Sequence, residues 1–328
     1  MSKLPFEKIE REIVVREEAE SENGSDPYAR KVEDLIDYGI IILNKPQGPT
    51  SHQVSDYVKK ILKLKKAGHS GTLDPNVCGV LPVALNKVTR IVQVLLNAGK
   101  EYICLMHLHS AVPEEKIKAE IEKYVGEIDQ LPPIKSAVKR QWRKRNIYYL
   151  EVLEIDGQDV LFKMGCQAGT YVRKYCHDFG KRLNVGAHMQ ELVRTKAGPF
   201  KFEQRVSLHD LKDAYDEYLE NGSEEWIRKC ILPVEVAVSH LGSIWVHDSA
   251  VDSLAHGAQL SVPGVVKFET KIKRGNIVAV FTLKGELVCI GKAKMNSDDM
   301  KREEKGVCVA ETKVFIPRGV YPKWEKNI

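Results

Sequence analysis

The sequence predicts an α+β protein with a strand-rich C-terminal segment, and three observations carry that reading. Asp156-Gly157, a dipeptide that favours tight hairpins, joins two strand-like stretches, 147–155 and 158–167. In the second of these, Val160, Phe162, Met164 and Cys166 alternate, as one buried face requires. Helical spacing recurs elsewhere, as at Val54, Tyr57, Val58, Ile61 and Leu62. Past about residue 243 a helical texture gives way to short strand-like runs divided by Gly257, Gly264, Gly275, Gly285 and Gly291. That change is the clearest domain boundary, and no internal repeat is present.

Taken in order, residues 1–37 read as an extended arm, with Ser21 to Pro27 a linker by composition. Tyr38 to Leu43 is a short apolar strand that runs into Asn44–Ser51, a turn ending in helix-cap residues. The helix that follows carries Lys59, Lys60, Lys63, Lys65 and Lys66 at its C-terminal end, complementing the negative end of the helix dipole. Val80 to Leu85 predicts a buried strand, and Asn86 a cap for a helix with Val88, Ile91, Val92, Leu95 and Leu96 on its apolar face. Gly99 ends that helix and Tyr102 to Leu108 is a further strand. Gly169-Thr170 is expected to cap a helix with Val172, Tyr175, Cys176, Phe179 and Leu183 inward, and Ser207 with Asp210 opens another.

A chain of 328 residues has room for about two domains. With 43% hydrophobic and 29% charged residues it has an ordinary soluble composition. No apolar run approaches the roughly 18 residues that span a bilayer. The charged N-terminus lacks the apolar core of a signal peptide, so no membrane partner and a cytoplasmic location are expected. The net charge of +5 alone does not imply a polyanionic partner, but basic and acidic residues are segregated along the chain. Seven scattered cysteines without a C-x-x-C pair fit a reducing compartment and indicate neither a zinc knuckle nor a redox pair. His107 and His109 share a strand face with no third ligand in sight, so no metal is expected.

The chemistry-bearing feature is Gly68-His69-Ser70-Gly71-Thr72-Leu73-Asp74-Pro75, a glycine-punctuated loop with one carboxylate. Gly68 and Gly71 permit backbone angles closed to other residues, and Pro75 holds Asp74 extended. A stiff loop presenting one acid suits nucleophilic or acid–base chemistry, although on the loop alone an Asx-turn is the favoured account. Three further features bear on it. Tyr102, at the start of a strand, can stack on a nucleobase or simply pack. Gly169-Thr170-Tyr171-Val172-Arg173 opens a helix, where an arginine is misplaced against the dipole unless an acid accompanies it. Lys139-Arg140-Gln141-Trp142-Arg143-Lys144-Arg145 is a basic run with an aromatic inside, able to grip a phosphate backbone or to serve as a solvated strand edge.

The passages Asn44–Ser51, Gly68–Leu81, Gly99–Tyr102, Gly169–Arg173 and Leu192–Phe200 follow the order and spacing of the TruB family of pseudouridine synthases, which the chain resembles from residue 38 onward. Residues 243–328 resemble a PUA domain, a small RNA-binding module. His107-Leu108-His109, Ser136-Ala137-Val138-Lys139-Arg140 and Gly186-Ala187-His188-Met189 are similar to the dyskerin-type catalytic subunit of box H/ACA particles. The lack of a long lysine-rich tail looks like the archaeal branch.

The resemblance implies a catalytic domain at 38–242 built on a bent, largely antiparallel sheet with flanking helices, a PUA domain at 243–328, and an arm at 1–37 that packs on the PUA domain. It implies that Asp74 is the catalytic nucleophile or base, Arg173 its ion-pair partner and Tyr171 a group for proton transfer. Tyr102, Leu192 and His69 would contact the flipped-out uracil, and Lys139, Arg140, Arg143, Lys144 and Arg145 the RNA backbone. Lys45 and Pro46 match a motif with a structural role. Asn76 and Cys78 stand where Lys and Ser or Thr are usual, and Asn76 would weaken a phosphate contact.

The implied activity is isomerisation of uridine to pseudouridine in rRNA and tRNA, with no cofactor. The implied partners are a box H/ACA guide RNA and small zinc-ribbon-like, β-barrel and kink-turn-binding proteins. Two alternatives stay open, a stand-alone tRNA pseudouridine synthase and a non-catalytic RNA-binding scaffold. The shortness of 135–147, where bacterial enzymes carry a longer insertion, favours the guide-dependent form.

Overall fold

A computed structural model describes residues 2–133 and 139–322; Ser136, Ala137 and Val138, at the start of the short 135–147 stretch, lie outside the described residues. The chain begins with β1 (Ile13–Val15), α1 (Val32–Tyr38), β2 (Gly39–Lys45), α2 (Ser51–Ile61), β3 (Ala67–His69) and β4 (Cys78–Leu85). Next come α3 (Val92–Leu96), β5 (Lys100–Leu108), α4 (Glu114–Glu122), β6 (Gly126–Gln130), β7 (Arg143–Asp156) and β8 (Asp159–Cys166). They are followed by α5 (Val172–Arg182), β9 (Ala187–Ala197), β10 (Phe200–Lys201), α6 (Leu208–Asn221), α7 (Glu225–Cys230) and β11 (Leu232–Pro233). The C-terminal part holds β12 (Gly242–Val246), α8 (Asp248–Ala255), β13 (Leu260–Ser261), β14 (Val265–Glu269), β15 (Ile277–Phe281), β16 (Leu287–Ala293), α9 (Ser297–Arg302) and β17 (Val307–Val314).

These elements form two compact units. The first comprises Ile41–Ala84 and Thr89–Trp226 with the residues up to Lys8; the second comprises Ile9–Ile40, Leu85–Val88 and everything from Ile227. Compactness therefore groups residues 227–241 with the C-terminal part, where texture alone places the change at 243. Glu235 is one physical reason, because its carboxylate accepts two bonds from Arg30 (2.7 and 2.8 Å) and one from the Leu287 N–H (2.9 Å).

In the first unit the sheet runs β2-β4-β9-β5-β8-β7-β6. β5 pairs antiparallel with both β8 and β9, β7 pairs antiparallel with β6 and β8, and β4 meets β9 in parallel. The register slips at Glu101/Tyr102 and at Leu105/Met106, and such bulges bend a sheet. The largely antiparallel, curled sheet with flanking helices is the expected α+β fold. Helix α5 covers one face, placing Val172, Tyr175, Cys176 and Phe179 in one core with Cys104, Met106 and Leu192. Tyr175 meets Tyr124 and Phe162 edge-on at 5.0 and 5.4 Å, the geometry that aromatic quadrupoles favour.

The second unit is built on a sheet of order β1-β14-β12-β15-β16-β17-β13. Its core contains Ile244, Val246, Phe268, Val280 and Val288. Strand β1 pairs antiparallel with β14, with Ile13 opposite Glu269.

Several local expectations need correction. The arm contains the helix α1, which its polar composition concealed. Asn86 opens a 3-10 turn with φ of +31° rather than an α-helix, because its side chain donates to Asp37 (2.7 Å). Thr170 does not cap α5: its hydroxyl donates backward to the Gln167 carbonyl (2.8 Å), and Tyr171 is the cap residue. The glycine-divided C-terminal stretch holds helices α8 and α9 among its strands. By contrast, Ser207 and Asp210 form the expected capping box on α6, and Thr50 with Gln53 forms one on α2.

Candidate active site

Asp74 lies in the loop between β3 and β4, and buried groups grip that loop from behind. Gly71 uses its freedom, with φ of +106°, whereas Gly68 sits in β3 outside the left-handed region and needs none. The Ser51 hydroxyl accepts from the Leu73 N–H (2.8 Å) and donates to the Leu73 carbonyl (3.0 Å). The Lys45 ammonium, fully buried, donates to the carbonyls of Pro46 (2.8 Å), Pro75 (3.1 Å) and Val77 (2.9 Å). Burial, helped by the charge of Arg194, pushes its pKa down. The Val77 N–H closes a turn on the Asp74 carbonyl (3.0 Å). This geometry favours presentation of Asp74 over an Asx-turn, because the restraints fall on the backbone and leave the carboxylate facing outward.

That carboxylate meets Arg173: Oδ2 of Asp74 pairs with Nη2 of the arginine in the first turn of α5. The misplaced arginine thus has its acid. The Asp74 and Arg173 side chains are 53% and 54% exposed, so the pair sits at the surface of the free chain. Just before Arg173, Tyr171 is fixed through its backbone. The Gln130 side chain accepts from its N–H (3.0 Å) and donates to its carbonyl (3.2 Å). Gln130 is itself buried, a support that a lone glutamine in the sequence did not signal.

Tyr102 and Leu192 lie on one face of the sheet. Tyr102 stands opposite Arg194 and Cys104 opposite Leu192 across the β5–β9 pair, so the tyrosine and the leucine are diagonal neighbours. Burial pushes the Tyr102 phenol up, and the Arg194 guanidinium beside it opposes the shift. His69 ends β3; burial first, then Arg194 and His52, hold its imidazole below the ordinary value. Its Nδ1 has no hydrogen-bond partner among the described residues.

Beside Arg173 opens a cavity of about 510 Å³, lined among others by Pro132, Arg140, Trp142, Lys174, Lys181 and His188. The side chains of the basic run have different neighbours in the free chain. Arg140 and the 66% exposed Trp142 reach this cavity, while Lys144 is held by Glu127 (2.6 Å). The Arg145 guanidinium lies over the Gly169 turn, 3.1 Å from where a Cβ would stand. Arg143 donates to the Lys139 carbonyl at 3.4 Å.

His107 binds Asp159 (2.7 Å) and His109 binds His188 (3.0 Å). Among the described residues no group of three or more His, Cys, Asp or Glu side chains is arranged to hold a metal ion. All seven cysteines are free. No helix among the described residues is long and apolar enough to cross a membrane.

Comparison with known proteins places this geometry. Residues 59–172 match the TruB family pseudouridylate synthase N-terminal domain, and residues 173–239 match the tRNA pseudouridylate synthase B C-terminal domain. Residues 242–315 match the PUA domain and residues 1–55 the DKCLD (NUC011) domain. A probable tRNA pseudouridine synthase B of Pyrococcus horikoshii is 56% identical over 319 residues, 96% of each chain. The fold superimposes on a chain in the crystal structure of a Cbf5-Nop10-Gar1 complex with a TM-score of 0.93 and 54% identity, covering 98% of this chain and 99% of that one. It also superimposes on a chain in the structure of an H/ACA RNP bound to a substrate RNA containing 2′-deoxyuridine, with a TM-score of 0.92 and 51% identity over 98% and 100% of the two chains. This chain therefore belongs to the TruB family of pseudouridine synthases and is an RNA-modifying isomerase.

Proposed function

We propose that the chain converts uridine to pseudouridine in rRNA and tRNA as the catalytic subunit of a guide-RNA-directed box H/ACA particle in the cytoplasm. The observation that carries this reading is the ion pair of Asp74 with Arg173, held at the open end of a clamped loop beside a cavity with basic walls. The reaction breaks the bond from C1′ to N1, turns the uracil and joins C1′ to C5. The C5 proton leaves and N1 gains one, so nothing is oxidised and no electron carrier is called for. In this proposal Asp74 attacks C1′ or removes the proton at C2′, and Arg173 keeps it ionised. Tyr171 moves the proton at C5. The extruded uracil, whose unstacking costs a few kcal/mol, stacks on Tyr102 and packs against Leu192, a contact worth roughly 1–3 kcal/mol. Neutral His69, with its unpartnered Nδ1, contacts the nucleotide. Arg140 and its basic neighbours follow the RNA backbone.

The catalytic domain in this proposal is 38–242 and the PUA domain 243–328, with the arm 1–37 on the latter. The solved relatives are assembled with Nop10 and Gar1 or bound to substrate RNA, which supports equivalent small protein partners here. The zinc-ribbon-like, β-barrel and kink-turn-binding classes are the proposed types. A second reading, the stand-alone tRNA enzyme, is favoured by the names of the sequence relatives. One assay separates them: tritium release from 5-labelled uridine on a guide-paired target and on bare tRNA. Faster release on the guide-paired target is expected. Equal or faster release on bare tRNA without guide or partners would favour the stand-alone form.

A further inference from the structure

Arg194 heads the fully buried side chains by size, at 1% exposure, and no acid stands among its described partners. Taking a charge out of water without a counter-ion is costly, so the groups that hold it are informative. Nε donates to the Val80 carbonyl at 2.7 Å and Nη2 donates to the Gly71 carbonyl at 3.3 Å, while Tyr102 stands opposite Arg194 across the β5–β9 pair and its phenol lies close enough to feel the guanidinium charge. Gly71 starts the turn that presents Asp74, Val80 lies in the strand that follows that turn, and Tyr102 belongs to the neighbouring strand. The backbone of Arg194 is pinned at the same points. It pairs with Gly79 on one side and stands opposite Tyr102 on the other. Gly79 makes the first contact possible, since a Cβ there would lie 2.3 Å from the Arg194 carbonyl oxygen.

We propose that Arg194 is a positioning residue for the isomerisation, joining the Asp74 loop and the Tyr102 ring into one rigid piece. Carboxylate and base platform then keep their spacing when a uridine enters. The inference rests on the roles proposed above for Asp74 and Tyr102. The guanidinium reaches the Val80 and Gly71 carbonyls from two different nitrogens, whereas a lysine ammonium at the same place would have to donate to both from a single atom. A misplacement of about 1 Å in a reacting pair costs on the order of 10²-fold in rate.

The test uses the full chain on guide-paired target RNA with Arg194→Lys, Tyr102→Phe, the double variant and Asp74→Asn as reference. Arg194→Lys is expected to lower kcat by about 10²-fold with KM within about threefold. Tyr102→Phe is expected to add little on that background, because the shared contact is already gone. A kcat loss that only tracks the unfolded fraction, or two effects that multiply, would overturn the inference. If Arg194→Lys does not fold, Tyr102→Phe alone decides through amide hydrogen exchange at Leu73 and Val77. Exchange about tenfold faster supports the link and unchanged exchange overturns it. Retained turnover in Asp74→Asn would instead sink the underlying reading of the site.

Discussion

Ser51 and Leu73 satisfy each other completely: one hydroxyl takes both backbone polar groups of the residue before Asp74, at 2.8 and 3.0 Å, in a buried place. Helix α2 thereby fixes the Asp74 loop from its first turn. Ser51→Ala leaves a buried N–H and C=O unpaired, which costs about 1–3 kcal/mol. Urea unfolding checks this, and a loss under about 0.5 kcal/mol would mean that water takes over both bonds.

Asp74→Asn keeps the shape of the loop and removes the charge. Turnover in the tritium-release assay is expected to vanish, while RNA affinity stays within about threefold. Measurable turnover would show that another group attacks the sugar.

Arg173→Ala removes the partner of Asp74 at the start of α5. The expected result is a fall in kcat of about 10²-fold with a smaller change in KM, since the charge is needed most as the reaction proceeds. A pure KM effect would make Arg173 a phosphate clamp only.

Lys100 supplies a pH dependence. Its ammonium is buried against the carbonyls of Leu95, Leu96 and Ala98 (2.8, 3.0 and 2.7 Å). Burial, then Arg194, pushes its pKa from 10.5 to about 7. With the folded value below the unfolded one, the unfolded chain binds more protons between those limits, so stability rises with pH across the window. The contribution is complete above 10.5 and fades as pH falls through about 7. Denaturant titrations from pH 6 to 10 should show this slope in the parent and not in Lys100→Met, and equal slopes would place the titration elsewhere.

Gly79→Ala tests the close approach of β4 and β9. Its φ is +109° and an added Cβ would strike the Arg194 backbone. The strain alone costs about 1–3 kcal/mol, and thermal unfolding should show a drop of at least that size. An unchanged melting temperature would mean that the strands separate at no cost.

Much of this was legible in the sequence. The Asp156-Gly157 hairpin, the alternation of Val160 to Cys166 and the caps at Thr50 and Ser207 are local signals, and local signals translate directly into strands and helix starts. An arginine in the first turn of a helix needs an acid, and it was the family resemblance that named Asp74 as that acid. What stayed hidden depends on distant partners. Gln130 reaches Tyr171, Thr170 turns back to Gln167, Asn86 answers Asp37, and Arg194 gathers carbonyls from β4 and its preceding loop. No periodicity encodes such bonds, and a lone buried arginine in a strand looks like any surface charge until the sheet is assembled.

The half-exposed state of the Asp74–Arg173 contact has a consequence for timing. Water at the mouth weakens attraction between opposite charges, and dissolved ions weaken it further. A nucleotide laid over the mouth removes both, so the grip tightens only once the visitor is seated. Under the proposed roles, the Asp74 carboxylate is loosely tethered in idle solution, and the RNA itself supplies the dry roof under which the tether becomes firm.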